Sequence, residues 1–481
     1  MTDTRTRPVL VVAVLVVVGA LTASSMAVGD SASSHRTAVA LSPVTVVNDA
    51  GVPDSVLVSR TLFESASSAV VVSADAAPQQ RSRAAEVATE HHVPVFEVGD
   101  DVGAVRDELD RLHARSVLTV GDAPDVGVPT SDDDPEPAVV SSTAEQDALV
   151  LVAGGADAMA TAESAGVDAI ALPAADPRST GRSVAALKHD VDRPVLAIGR
   201  FGDEAAVSSQ IDAARTVPEL PGGGQLVFPG RRMVSLYGSP GTADLGPLGA
   251  QGIDASIRRV RRMARQYEKI SDAPVVPAFE IIATVASAAP GYRGAYTDPI
   301  DPAVLKPWID AAEKAGVYVT LDLQPGRMDF LTQAKMYRDL LRRPNVGLAL
   351  DPEWRLKPDQ KHLTQIGAVD PAEVNRTADW LAGIVREGSL PQKAFVLHQF
   401  DKDMLGDRSR LDTSHPELAT VIHADGHGIP SVKMLTWRRI VAGLPPNTWL
   451  GWKNFYTEDK PMFSPRRTLR VTPEPWFISY Q

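Results

Sequence analysis

The sequence predicts an α/β protein in two parts, a duplicated parallel α/β repeat module followed by a (β/α)8 TIM-like barrel. Three observations predict it. Short continuous apolar runs alternate with amphipathic segments, as expected of strands buried on both faces of parallel sheets. In the first half these runs recur about 75 to 80 residues apart, the sign of an internal duplication. In the second half, eight strand-like runs with intervening helices occupy about 250 residues, which matches a (β/α)8 barrel in count and length.

A chain of 481 residues exceeds what one core accommodates, so more than one domain is expected. A formal charge of −12, from 60 acidic and 48 basic residues, disfavours a nucleic-acid partner, because phosphate recognition needs a basic face. There is no cysteine, which excludes disulfides, thiol nucleophiles, iron–sulfur clusters, Cys-ligated zinc and a lipobox.

Arg5 and Arg7 precede an apolar run from Val9 to Leu21, and Ser25-Met26-Ala27 fits the small-x-small rule for signal-peptidase cleavage. Residues 1–29 are therefore expected to be a signal peptide or, since a spanning helix needs about 20 residues, an uncleaved N-terminal anchor. Either reading makes the protein secreted or cell-surface, with membrane contact only through such an anchor. Residues 30–45 form a Ser/Ala-rich tether.

The repeat module is placed at 46–215. Its first half has strands at Ala69–Ser73, Val95–Val98 and Ser116–Val120, with helices at Gln79–Glu90 and Val102–His113. Its second half has strands at Ala148–Val152, Asp168–Leu172 and Pro194–Ile198, with helices at Asp157–Ala165 and Gly181–His189. The acidic loop Asp132–Pro137 joins them. Gly154-Gly155 is followed by no GxGxxG, so no dinucleotide site is expected. VPVFEVG and SVLTVGD, echoed by DAIALPA and RPVLAIG, resemble the cell wall-binding repeat type 2 family of Gram-positive surface proteins over about Pro43–Arg215. The resemblance implies envelope binding.

Residues 216–232 (TVPELPGGGQLVFPGRR) are rich in proline and glycine and are expected to be an interdomain linker. The barrel, 233–481, has strands at Met233–Tyr237, Val276–Ala283, Val317–Gln324, Val346–Glu353, Ala394–Phe400, Thr420–Asp425, Trp449–Phe455 and Trp476–Tyr480. Ile253, Ile257, Val260, Met263 and Tyr267 share one helical face. Further helices are expected at Pro302–Ala315, Phe330–Leu341, Pro371–Val385 and Val432–Val441, with weak helices after strands five and seven.

Barrel active sites lie at the C-terminal strand ends. Those ends carry Glu280 (PAFEIIAT), Asp322 and Gln324 (TLDLQPGR), Asp351 and Glu353 (LALDPEWR), His398 and Gln399 (VLHQF), His423, Asp425 and His427 (IHADGHG), Trp452, Lys453 and Tyr456 (GWKNFY), and Tyr480 and Gln481 (ISYQ). Several carboxylates gathered in a barrel mouth are costly unless paired, protonated or hydrogen-bonded. Glycoside hydrolysis uses such a set: one carboxyl of raised pKa protonates the leaving oxygen, and a second acts as base, nucleophile or charge stabiliser. Glu353, Asp351, Glu280, Asp322 and Asp425 are the candidate catalytic residues. Gln324, Trp354, His398, Gln399, His427, Trp452, Lys453, Tyr456 and Tyr480 are candidate sugar contacts. Any one of these acids alone reads more readily as a helix cap or an ion-pair partner, for example of Arg355 or Lys357, than as a catalyst.

LALDPEW and the terminal ISYQ resemble the barrel-type muramidases, which cleave peptidoglycan glycan chains. That resemblance implies a general-acid role for Glu353 beside Asp351, although the Asp those enzymes carry on strand one is replaced here by SLYGSPG. VPAFEIIATV, LDLQPGR, LALDPEWRL, LHQF and WKNFY are similar to an uncharacterised actinobacterial family of exported barrels. The expected partner is a cell-wall or extracellular glycan. No cofactor is expected. HADGH offers His423, Asp425 and His427 to a metal, but Gly426 and Gly428 should bend the strand and scatter them, so no metal site is assigned. No GxSxG nucleophile elbow occurs. The alternatives are a non-catalytic glycan-binding surface protein and a metal-dependent hydrolase.

Overall fold

In a computed structural model, residues 43–131, 136–141 and 147–481 are described. The expected signal or anchor, most of the tether and most of the acidic loop lie outside the described residues.

Among the described residues the N-terminal module has nine strands: β1 (Val44–Val47), β2 (Phe63–Ser65), β3 (Ser68–Ser73), β4 (Val95–Val98), β5 (Ser116–Val120), β6 (Val139–Val140), β7 (Leu149–Ala153), β8 (Ala169–Ala171) and β9 (Val195–Gly199). They form a parallel sheet in the order β4-β3-β5, a parallel sheet β1-β9-β7-β8, and the short antiparallel pair β2-β6. Each half thus places its first strand centrally, its second on one side and its third on the other, so the sequence duplication is also a duplication of topology. β3 and β7 are the most apolar runs because they are covered on both faces. In the first half, Glu108 is buried and held by Ser59 Oγ at 2.6 Å and Arg111 Nη2 at 2.7 Å.

The stretch expected as a linker, 216–232, is instead a packed segment. Thr216 ends the helix Glu204–Thr216 and Arg232 already opens the first barrel strand. Gly222, Gly223 and Gly224 all take φ between 71° and 87°, a left-handed run that side-chain-bearing residues resist. This turn presents Leu220, Val227 and Phe228 to the base of the barrel lumen, where Phe228 packs 5.5 Å from Trp449 and 6.0 Å from Trp476. Gln225 Nε2 donates to the carbonyls of Ala213, Ala214 and Val217, while the Gln225 carbonyl accepts from Gln392 N at 2.9 Å. The prolines and glycines serve a tight turn rather than a flexible tether.

The barrel comprises β10 (Arg232–Gly238), β11 (Val275–Ala286), the short β12 (Thr297–Pro299), β13 (Tyr318–Leu323), β14 (Val346–Leu350), β15 (Lys393–Gln399), β16 (Leu418–Ala424), β17 (Thr448–Asn454) and β18 (Phe477–Tyr480). Eight strands run parallel, and β10 closes the ring by pairing with both β11 and β18, while β12 only extends β11 as an antiparallel flap. The helices Ile253–Glu268, Pro302–Lys314, Phe330–Met336, Arg338–Leu341, Pro371–Gly388, Pro430–Val441 and Pro465–Leu469 lie between strands. The expected helix Phe330–Leu341 breaks at Tyr337, whose hydroxyl donates to the carbonyls of Ala283 (2.6 Å) and Ile300 (3.0 Å). β15 is followed by 3-10 turns, Lys402–Leu405 and Arg408–Arg410.

Alternation divides the barrel residues into two sets. Val234, Leu236, Phe279, Ile281, Val319, Leu321, Leu348, Leu350, Phe395 and Leu397 face the helices. Met233, Val276, Ala278, Tyr318, Ala349, Ala394, Val396, Ala419, Val421 and Phe477 fill the lower lumen above Phe228. Above that layer the lumen turns polar. No helix among the described residues is long and apolar enough to cross a membrane.

Phe228→Ala removes the ring that plugs the lumen and is expected to destabilise the protein by about 3–5 kcal/mol. A chemical-denaturation midpoint equal to that of the parent protein would show that 220–229 merely connects.

Candidate active site at the barrel mouth

The upper lumen is built from every second residue at the strand ends. Tyr237 comes from β10, Glu280 from β11, Asp322 from β13, His398 from β15, His423 from β16, Lys453 from β17 and Ser479 from β18, and all are buried. Asp351 and Glu353 follow β14, with Glu353 in the 3-10 turn Pro352–Trp354. The strand was expected to run to Glu353, but it ends at Leu350, and this turn brings both carboxyls to the mouth.

His398 is the hub. Its Nδ1 lies 2.9 Å from Asp425 Oδ2 and its Nε2 lies 3.0 Å from Glu280 Oε1, with Asp322 Oδ1 at 3.8 Å. Tyr237 donates its hydroxyl proton to Asp322 Oδ2 at 2.7 Å and accepts from Gln324 Nε2 at 3.3 Å, while Lys453 Nζ sits 3.5 Å from the centre of the Tyr237 ring. His423 Nε2 lies 3.1 Å from Ser479 Oγ. Gly451 makes room for this histidine, since a Cβ there would stand 2.4 Å from His423 Cδ2.

A cavity of about 360 Å³ opens above this floor. Its walls include Tyr237, Gln324, Asp351, Glu353, Trp354, Asp425, His427 and Lys453, with Phe400, Thr436, Arg439 and Phe455 completing the rim. Glu353 and Trp354 also border a second hollow of about 330 Å³, lined further by His362, Leu363 and Ile366. The loops bearing Asp425, His427 and Lys453 are tied by a buried ion pair. Lys433 Nζ contacts Asp459 Oδ2 at 2.9 Å and donates to the carbonyls of Gly426 (2.9 Å) and Lys453 (2.7 Å). Asp459 accepts from the backbone N–H of Gly428 and of Phe455.

The carboxyls differ in proton affinity because their surroundings differ. Burial raises Glu353 to about 7, and the neighbouring charge of Asp425 adds to the effect. Burial likewise raises Asp351 well above the carboxylate range, reinforced by Asp322 and Glu353 against the opposing pull of His398. Asp322 rises to about 6 through burial, with Glu280 adding to it against His398. For Asp425 the cost of burial is outweighed by the hydrogen bond and charge of His398, and its carboxyl falls below its ordinary value. Burial is outweighed in the same way at Glu280, which falls to about 2. Burial opposes the charge on His398, but Glu280 and Asp322 raise it well above the usual histidine value. Burial lowers His423 to about 3.

Of the residues expected from sequence, Glu353, Asp351, Asp425, Gln324, Trp354, His427 and Lys453 line the cavity, and Glu280, Asp322 and His398 form its floor. Four do not belong to it. Gln399, Trp452 and Tyr480 occupy the outward positions of their strands: Gln399 Oε1 accepts from Arg408 Nη1, Trp452 stacks on Phe463, and the Tyr480 hydroxyl meets that of Tyr267 at 2.6 Å. Tyr456 lies at the surface under the Arg259 guanidinium. HADGH does scatter: His423 is buried in the lumen and His427 is exposed on the rim beside Phe455. Arg355 forms a bidentate pair with Glu373 rather than with Glu353, whose carboxyl makes no hydrogen bond or ion pair among the described residues. Sequence reading missed Tyr237 and Ser479 in the lumen, and Phe400, Thr436, Arg439 and Phe455 on the rim. The strand-end rule reaches Tyr237, two residues beyond the inward Ser235.

Comparison with protein-family models, with curated proteins and with solved structures gives no match for this chain. The fold and site define a (β/α)8 barrel with a carboxylate-rich cleft at the C-terminal ends of its strands.

Gly451→Ala is expected to displace the His423 ring and cost about 1–3 kcal/mol by overpacking. Gly383→Ala, in a helix with open space around the added methyl, is expected to be neutral or stabilising by up to about 1 kcal/mol. Equal melting temperatures for the two variants would mean that Gly451 does not position His423.

Proposed function

We propose that the barrel is a glycoside hydrolase acting on a cell-wall or extracellular polysaccharide, with Glu353 as general acid and Asp425 as the partner carboxylate. One observation carries the reading. Two carboxyl groups line one cavity in opposite states, Glu353 retaining its proton towards pH 7 and Asp425 held ionised by His398. Such divergence separates acid from base or nucleophile in sugar hydrolysis. Asp425 Oδ1 has no hydrogen-bond partner and is left for a water or an anomeric carbon, while Oδ2 is fixed on His398. Glu353, which has no ion-pair partner among the described residues, would protonate the glycosidic oxygen. Trp354 offers an aromatic wall for a sugar ring, and the second hollow bordered by Glu353 gives room for the leaving portion of a polymer. The resemblance of the N-terminal module to cell wall-binding repeats supports an envelope glycan as substrate.

The test is incubation of the purified protein with fractionated cell-wall glycans, with new reducing ends as the readout. Binding without new ends would favour a non-catalytic glycan-binding protein. Glu353→Gln is expected to lower kcat by about 10²–10⁴-fold while leaving glycan affinity near that of the parent. Unchanged kcat would remove Glu353 from the mechanism.

A protonated Glu353 is required, so the rate is expected to fall as pH rises through about 7, where its proton is lost. Measurement of kcat/KM across pH 4–9 checks this, and a rate that climbs through pH 7 would reverse the assignment. Burial raises the Asp351 carboxyl well above the carboxylate range, so Asp351→Asn is expected to disturb the site less than Asp425→Asn does. Its kcat is expected to stay within about 10-fold of the parent's, whereas Asp425→Asn should lose about 10²-fold or more. Equal losses in the two variants would show that Asp351 works as a carboxylate.

A further inference from the structure

The cavity gathers five carboxyl groups around the His398 hub, and several of their oxygens have no partner. Glu280, Asp322, Asp351, Glu353 and Asp425 face Lys453 and two imidazoles, while Lys433 is already committed to Asp459. Buried polar atoms are seldom left without partners. Yet Glu280 Oε2, Asp322 Oδ1, Asp351 Oδ1, Asp425 Oδ1 and His423 Nδ1 are all buried and have no hydrogen-bond partner among the described residues.

Three of the floor residues have the geometry of a metal centre. One ligand atom each from Glu280, His398 and His423 lies within 4.8 Å of the others, all three residues being fully buried. Each imidazole has its remote nitrogen already engaged, His398 Nδ1 by Asp425 and His423 Nε2 by Ser479. That arrangement fixes the ring orientation and turns His398 Nε2 and His423 Nδ1 towards Glu280, as carboxylates and hydroxyls do for metal-bound histidines. His423 Nδ1 stands 4.0 Å from Glu280 Oε1 with no hydrogen-bond partner.

We propose that this floor binds one divalent transition-metal ion of the zinc class through His398 Nε2, His423 Nδ1 and the Glu280 carboxylate, with Asp322 as the nearest further oxygen. Two nitrogens with carboxylate oxygens suit zinc or its neighbours rather than calcium or magnesium, which take oxygen ligands. The ion takes the place of the proton between His398 and Glu280 and supplies positive charge to the surrounding carboxylates. The ligand set is not the HADGH triplet: it uses His423 but neither Asp425 nor His427. A second cluster, Asp379, Asp412 and His415, lies towards the surface, with His415 Nε2 already 3.0 Å from Asp379, and carries no proposal. The inference is independent of glycan hydrolysis, because its readout is metal binding.

The experiment strips the full chain with chelator, titrates it with Zn²⁺ in a competition assay, and records the visible spectrum of the Co²⁺ form. One equivalent is expected, with Co²⁺ bands of mixed nitrogen and oxygen coordination. His423→Ala should abolish tight binding, Glu280→Gln should weaken it, and Ser479→Ala should weaken it about 10–100-fold. Asp412→Asn should leave stoichiometry and affinity unchanged. Circular dichroism of the stripped variants separates lost binding from lost fold, and Ser479→Ala provides the milder variant should His423→Ala not fold. Absence of a tight equivalent in the parent, unchanged affinity in folded His423→Ala and Glu280→Gln, or loss of the equivalent in Asp412→Asn would each overturn the proposal.

Discussion

Closing eight parallel strands into a ring sends alternate side chains into a lumen too narrow for anything but packed side chains. Everything distinctive about this barrel follows from how that lumen is filled. Below, small and apolar residues such as Ala278, Ala349, Ala394 and Ala419 leave room for Tyr318 and for Phe228, which enters from outside the barrel sequence. Above, the same inward rows carry Tyr237, Glu280, Asp322, His398, His423 and Lys453. The apolar floor excludes water from underneath, so the polar layer lies in a low-dielectric setting where each hydrogen bond and each missing partner counts heavily.

That setting differentiates the acids. Identical carboxyl chemistry gives a group shifted to about 7 at Glu353, to about 6 at Asp322 and to about 2 at Glu280. The difference lies in access to His398. Glu280 and Asp425 each touch one of its ring nitrogens, whereas Asp322 and Asp351 are influenced from further away and are dominated by burial. Binding of a cation by Glu280 and the two histidines would act on this same layer, which is why the metal question and the acid–base question concern one structure and not two.

The N-terminal module depends on the barrel more closely than a repeat on a tether would. Gln225 bonds to the end of the helix Glu204–Thr216 on one side and to Gln392 of the barrel on the other. Val227 and Phe228, a few residues on, close the lumen. The joining segment is therefore part of the barrel core, and the two modules share a structural element at the face opposite the cleft.

The fold was legible in the sequence because burial on both faces imposes continuous apolar runs, and those runs occur at every barrel strand within a few residues of its observed bounds. The duplication was legible for the same reason, since β3 and β7 repeat the most apolar segment of each half. The strand-end rule also found most of the cleft, including Glu353, Asp425, Glu280 and His398. It admitted Gln399, Trp452 and Tyr480 because chemical type was read without the inward or outward phase, which becomes fixed only when neighbouring strands set the register. Pairing depended on tertiary structure throughout. Nothing local says that Arg355 takes Glu373 and leaves Glu353 free, or that His398 bridges Glu280 and Asp425 across 118 and 27 residues of chain. The sequence by itself determined which residues could be buried and at what period. Only the closed barrel decided which acids meet which cations, because that choice depends on distances between strands remote in sequence.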